Sequence, residues 1–337
     1  MQPNNPPTPE RIFETIIAYQ QSAVLKGAIE LDVFTAIAEG ANTADQLAEK
    51  CHASVKGMRV LCDYLTVKGF LTKEGQTYAL APDAAFYLSR HSPAYAGAVS
   101  RFLLSPTLMS TYDDIAATVR KGGTVISDEG TVEDNHPVWV DFARGMGGMM
   151  AMPAQLIAQL IDAASMASCK VLDIAAGHGM FGIAIAQANP HAEIVAVDWQ
   201  AVLAVAKENA EKMGVADRLT CKPGSAFEVE FGDGYDLVLL TNFFHHFDVP
   251  TCEGLMKKVH AALKPSGRAV TFEFVPNEDR VSPPQPATFA MVMLASTANG
   301  DAYTFAEYEK MFANAGFAST ELHQLPPTFQ QVLISHK

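Results

Sequence analysis

The chain is short of positive charge. Its 337 residues hold 24 Lys and Arg against 37 Asp and Glu, a formal net charge of −13. Gripping a phosphate backbone draws on a surplus of Lys and Arg, so this balance argues against nucleic acid as the principal partner. Cysteine is sparse too. Cys51, Cys62, Cys169, Cys221 and Cys252 are odd in number and contain no C-x-x-C pair. That pattern speaks against a disulfide framework or a zinc site and for buried thiols in a reducing compartment. No run of about 18 apolar residues exists, so no membrane span is expected. The opening M-Q-P-N-N-P-P-T-P-E has neither the basic start nor the apolar block of a signal peptide and reads as a frayed tail. Internal repeats and low-complexity stretches are absent as well. A cytoplasmic protein is the expectation.

What is present is apolar residue in quantity: 49% of the chain, enough for a large core and two domains. Residues 1–100 read as mainly helical. Ile12, Ile16, Ile17, Ala23, Val24, Leu25 and Ile29 recur at helical spacing between Arg11 and Leu31. Thr43 with Gln46 three residues on forms a capping-box signature, and Ser54 caps a helix through Met58, Leu61, Leu65 and Val67. Phe70-Leu71 and Tyr78-Ala79-Leu80 flank a polar turn and predict a hairpin. Helices followed by a hairpin are the order of a winged-helix module. Its charges nearly cancel, so it reads as a packing or dimerisation module rather than a DNA reader.

Residues 101–165 read as helical connectors, including a helix from Val138 to about Met150. From Lys170 strands and helices alternate. Strands are expected at 170–174, 193–197, 218–222, 235–241, 267–274 and 329–335, with helices near 179–188, 200–213, 251–263 and 304–315. That alternation is the signature of an α/β, doubly wound (Rossmann-like) sheet. Residues 281–300 read as its most irregular insertion.

The most informative stretch is V-L-D-I-A-A-G-H-G, Val171 to Gly179. An apolar strand ends in a carboxylate and a glycine turn opens a helix, an arrangement that brings backbone close to a polar ligand. Asp198 ends the next apolar run, where a βαβ unit presents an acid to a ribose diol. G-H-G-M-F-G (177–182) matches the dinucleotide fingerprint G-x-G-x-x-G, so an NAD-dependent oxidoreductase is one reading. Asp173 points elsewhere: a carboxylate there repels a pyrophosphate but suits a cationic amino-acid ligand.

With these motifs the chain resembles the class I S-adenosylmethionine-dependent methyltransferases. More narrowly it is similar to the O-methyltransferases of small aromatic molecules that carry an N-terminal winged-helix dimerisation domain. The likeness covers nearly the whole chain. It includes Y-D-L-V-L-L-T-N-F-F-H-H-F-D (235–248), A-L-K-P-S-G-R (262–268), F-E-F-V-P (272–276) and A-G-F (315–317). The resemblance implies a seven-stranded sheet and three segments: a dimerisation domain at 1–100, a connector at 101–165 and an S-adenosylmethionine-binding catalytic domain at 166–337. It also implies a homodimer that methylates a hydroxyl of a small aromatic acceptor, with no nucleic acid and no membrane as partners. Asp173, Gly177, Gly179, Asp198, Trp199, Ser225, Ala226, Phe227 and Thr241 would hold the cofactor, with Gly224-Ser225 standing where relatives often show Gly-Asp. His245 would be the general base and Glu273 the acid that orients it. A second acid is expected just before Thr304, where this chain has Ala302. Methyl transfer to carbon or nitrogen, or a non-methylating reaction, stays open beside the O-methyl reading. His245, His246 and Asp248 could suggest a metal, but sequence neighbours rarely point at one ion, so none is expected. Phe142, Met146, Met149, Asn242, Phe289 and Met293, with Met291, are candidates for an apolar acceptor pocket.

Overall fold

The computed structural model describes residues 7–167 and 169–337; the first six residues of the expected tail lie outside it. The described chain forms two compact units, one ending at Leu104 and one beginning at Ser105. In the first, α1 (Glu10–Ile16), α2 (Ala18–Glu30), α3 (Val33–Ala38), α4 (Ala44–Lys50) and α5 (Val55–Val67) precede the hairpin β1 (Leu71–Glu74) and β2 (Thr77–Leu80), then α6 (Pro82–Tyr87) and α7 (Val99–Leu103). Both predicted caps form. Thr43 and Gln46 make a reciprocal capping box on α4, and the Ser54 hydroxyl accepts the Gly57 N–H at the start of α5. The hairpin pairs Leu71 with Leu80. Phe34, Leu47, Met58, Leu65 and Tyr78 fill the core of this unit. The long helix expected over 11–31 is broken at Ile17, and α1 buries nothing: Ile12, Phe13 and Ile16 are all exposed.

The second unit begins with α8 (Pro106–Ser110), α9 (Ile115–Lys121) and α10 (Val138–Leu160), the last ten residues longer than its methionine spacing suggested and running through Pro153. The sheet then builds as β3 (Cys169–Ile174), α11 (Met180–Ala188), β4 (Ala192–Asp198), α12 (Gln200–Lys212), β5 (Leu219–Pro223), β6 (Tyr235–Thr241), α13 (Val249–Ala262), β7 (Leu263–Glu273), α14 (Pro284–Ser296), α15 (Phe305–Asn314), β8 (Ser319–Gln324) and β9 (Gln331–His336). Strand order is β5-β4-β3-β6-β7-β9-β8, with β9 antiparallel to both neighbours and the first five parallel. The seventh strand, β8, was missed in the strand-by-strand reading. Its S-T-E-L-H-Q holds one apolar residue, Leu322, because only one face of this edge strand is covered. The irregular insertion expected at 281–300 is instead mostly α14, which starts at Pro284, where a proline costs no helical hydrogen bond. Chain order reverses between β3 and β6, and the carboxyl ends of these two strands meet at the switch point where such sheets bind ligands.

Candidate active site

The glycine turn hangs from β3. Ala175, Gly177 and Gly179 all adopt positive φ, the region that costs a side chain energy. The position a Cβ would take on Gly177 lies 3.3 Å from the Phe142 ring of α10. On Gly179 it would lie 2.9 Å from the Ala206 Cβ of α12. The close approach at Gly179 is therefore made by a helix of the same fold, a packing cause the sequence did not show. Asp198, at the end of β4, braces the turn: one carboxylate oxygen accepts the Gly177 N–H at 2.8 Å, the other the Trp199 N–H at 2.7 Å. Burial lifts its carboxyl to about 6. Asp173 is buried on β3, with one oxygen on the Gly182 N–H at 3.2 Å and the other, Oδ1, without a partner among the described residues. Desolvation pushes it up to about 7.

Beyond β6 the chain turns at Asn242, also at positive φ, into the loop that carries two histidines. His245 Nδ1 lies 2.5 Å from Glu273 Oε2, and Glu273 Oε1 accepts the N–H groups of Phe243 and Phe244 at 2.8 and 2.9 Å. Glu273 is 0% exposed. A buried carboxylate survives only when hydrogen-bonded, and this one is tied to the histidine and to the loop that presents it. With Nδ1–H donated to the carboxylate, the lone pair of His245 sits on Nε2. The His245 carbonyl accepts the Asp301 N–H at 3.0 Å. Ala302 is buried at the place of the expected second acid, and the neighbouring Asp301 carboxylate is directed to Arg280 at 3.5 Å. Among the described residues Glu273 is thus the one acid bonded to His245.

A file of rings joins the turn to the dyad. His178 stacks on Phe142 (centroids 5.8 Å apart), Phe142 meets Trp139 (5.8 Å), Trp139 meets His246 (5.1 Å) and His246 meets His245 (4.2 Å). The file continues through Phe289 (4.8 Å) to Phe274 (4.0 Å). Of the expected acceptor-pocket residues, Phe142 and Phe289 belong to this wall. Met146 and Met293 are buried, while Met149 is 41% exposed and Met291 is exposed as well. The side-chain oxygen of Asn242 accepts from the Gln330 amide. Trp199 packs against the cluster of Ala143, Val202 and Val205. Ser225 and Ala226 lie in the turn after β5, and Phe227 meets Phe247 edge to face at 4.9 Å. Thr241 is buried at the end of β6.

Sequence reasoning missed His178, His246, Trp139 and Phe274 as members of the wall. For Trp139 a signal existed, its three-residue spacing from Phe142 on one helix. His178 is buried, its Nδ1 accepts the Met180 N–H at 3.1 Å, and desolvation drops it to about 4. His246 holds its Nδ1 on the Phe243 carbonyl at 3.0 Å and burial keeps it neutral.

Comparison with known proteins gives the following. A family model for the O-methyltransferase domain matches residues 118–318, and one for the O-methyltransferase dimerisation domain matches residues 13–90. A candidate O-methyltransferase from Nostoc punctiforme, of solved structure, is 55% identical, with 98% of this chain and 100% of that one covered and a TM-score of 0.95. The 3-hydroxy-5-methyl-1-naphthoate 3-O-methyltransferase of Streptomyces sahachiroi is 25% identical over 88% of this chain and 86% of its own length. Human N-acetylserotonin methyltransferase, solved in complex with SAM, shares the fold at a TM-score of 0.86, 19% identity and 100% and 99% coverage.

Proposed function

The chain belongs to the O-methyltransferase family, and from that premise we propose that it moves a methyl group from S-adenosylmethionine to a phenolic hydroxyl of a small aromatic molecule, with His245 as base. The observation that carries this reading is the buried His245–Glu273 pair set in an aromatic wall that begins at the glycine turn. The residues fit the cofactor. Asp173 offers a buried carboxylate oxygen without a partner, suited to the ammonium of an amino acid, and a pyrophosphate would be repelled there. Asp198 keeps a lone pair on each oxygen for a ribose hydroxyl after bracing the turn. When bound, the cofactor supplies an electrophilic methyl on a positive sulfonium. The phenolic O–H gives its proton to Nε2 of His245, Glu273 steadies the imidazolium through Nδ1–H, and the aromatic wall holds the ring flat and dry. Alignment by these residues supplies the rest of the rate.

The matching dimerisation domain and the exposed apolar face of α1 support a homodimer formed through the N-terminal unit. No described helix is long and apolar enough to cross a membrane. The test is product analysis: purified protein given S-adenosylmethionine and a panel of phenols and hydroxynaphthoates. A product heavier by one CH2, carried on oxygen, supports the proposal. A methyl on carbon or nitrogen would replace it with the alternative chemistry on the same fold.

A further inference from the structure

A carboxylate offers about four acceptor positions, and on Glu273 protein N–H groups fill three of them, from Phe243, Phe244 and His245. Alternation along β7 places Thr271 on the same face as Glu273. In the antiparallel β7–β9 pair Gln331 lies directly opposite Glu273 and shares that face. The face is covered by α13 and α15, whose Cys252, Tyr308, Met311 and Phe312 form one core with Phe244 and Leu333. Tyr308 meets Tyr303 edge to face at 5.7 Å and lies tilted to Phe244 at 6.4 Å.

Within this apolar layer three side-chain atoms have no partner among the described residues: Thr271 Oγ1, Tyr308 Oη and Gln331 Oε1. A single buried orphan is a curiosity; three beside a buried carboxylate form a pattern. They supply two hydroxyl donors and an amide acceptor, and Glu273 keeps an acceptor position open. That set matches the two donors and two acceptors of water. From the covering helices Cys252 and Tyr308 face this layer, and the charges of Asp248, Glu253 and Glu307 are felt there as well. Burial and the Glu273 charge push the Cys252 thiol up, and burial does the same to the Tyr308 phenol, so both stay neutral. A surface groove of about 400 Å³ has Gln331 in its lining, beside Val275, Phe305 and Leu322. The Gln331 amide N–H donates to the Val275 carbonyl at 3.2 Å, which fixes the side chain there.

We propose that Thr271, Tyr308 and Gln331 hold ordered water against Glu273, making Tyr308 a positioning residue for the His245–Glu273 pair. The water takes the acceptor position that Glu273 keeps open inside an apolar layer. This chain depends on that more than a relative with two acids would, because Ala302 leaves Glu273 alone with His245. The kinetic part of the proposal rests on reading His245 as the base; the water site does not.

The experiment joins a high-resolution crystal structure of the parent with Tyr308→Phe, which deletes only the hydroxyl. Electron density for water within about 3.2 Å of at least two of the three orphan atoms is expected. Tyr308→Phe should lower Tm by roughly 2–4 °C. It should also move the acidic limb of the kcat/KM profile upward by about half a unit, because a less solvated carboxylate makes the pair bind its proton more tightly. KM for the acceptor should stay put, and Gln331→Met should move the limb the same way. A dry layer, or a Tyr308→Phe protein at least as stable as the parent with its acidic limb unmoved, overturns the proposal. If His245→Ala turns over as fast as the parent, the base reading falls, and the crystallographic water and the sign of the Tm change still decide this one.

Discussion

At the scale of single residues, the site depends on which atoms already have partners. Glu273 accepts from three donors, and neither orientation of an amide could do the same. In Glu273→Gln an NH2 group faces either the two loop N–H groups or His245 Nδ1. Facing the histidine, it drives the ring proton to Nε2 and removes the base's lone pair. Turnover should fall at least about a hundredfold with little change in KM, measured by steady-state kinetics. Asp173 makes the opposite case, a charge without enough partners. Its folded value of about 7 stands above the ordinary 3.8, so the folded protein holds that proton more tightly than the unfolded chain. The stability this group contributes is complete below the unfolded value and is lost as pH rises through about 7, by up to ~4 kcal/mol. Cofactor-free Asp173→Asn should therefore gain on the parent in urea denaturation as pH goes from 5 to 8. It should also bind S-adenosylhomocysteine at least about tenfold more weakly, and unchanged affinity would remove Asp173 from the cofactor site. His245 and Glu273 could be read from sequence because a histidine after a buried strand and an acid within an apolar one are both anomalies that call for a partner. His178 and the Asn242–Gln330 contact could not, since each depends on a partner distant in sequence.

At the scale of elements, legibility followed periodicity and caps. Thr43 with Gln46, Ser54 and the β1–β2 hairpin were readable because their signals are local. Strand β8 was not, because an edge strand covered on one face carries too few apolar residues to stand out. Helix α14 was hidden by the prolines before it, which read as loop although one of them begins the helix. The glycine turn was legible as a turn, but what each glycine admits was not. Gly179 makes room for α12, so Gly179→Ala meets both a left-handed φ and the Ala206 methyl. It should cost about 1–3 kcal/mol by urea denaturation, and adding Ala206→Gly should recover the part due to the clash. A double variant no better than the single one would place the whole cost in the backbone.

At the scale of the whole molecule, a mainly helical unit is followed in sequence by an α/β sheet unit, and the order of helical spacing and apolar runs came close to that. The near cancellation of charge in the N-terminal unit turned it away from DNA, and the dimerisation-domain match agrees with that reading. The exposed α1 face could not be read beforehand, because apolar residues at helical spacing predict burial and nothing local says that these remain uncovered. The central claim is that one part of the molecule holds the methyl donor and another, the His245–Glu273 pair, takes the proton. The most direct measurement compares parent and His245→Ala in two ways, S-adenosylhomocysteine affinity by calorimetry and kcat on an accepted phenol. Affinity should agree within about threefold while kcat falls by roughly two to four orders of magnitude. A variant that methylates as fast as the parent would contradict the account.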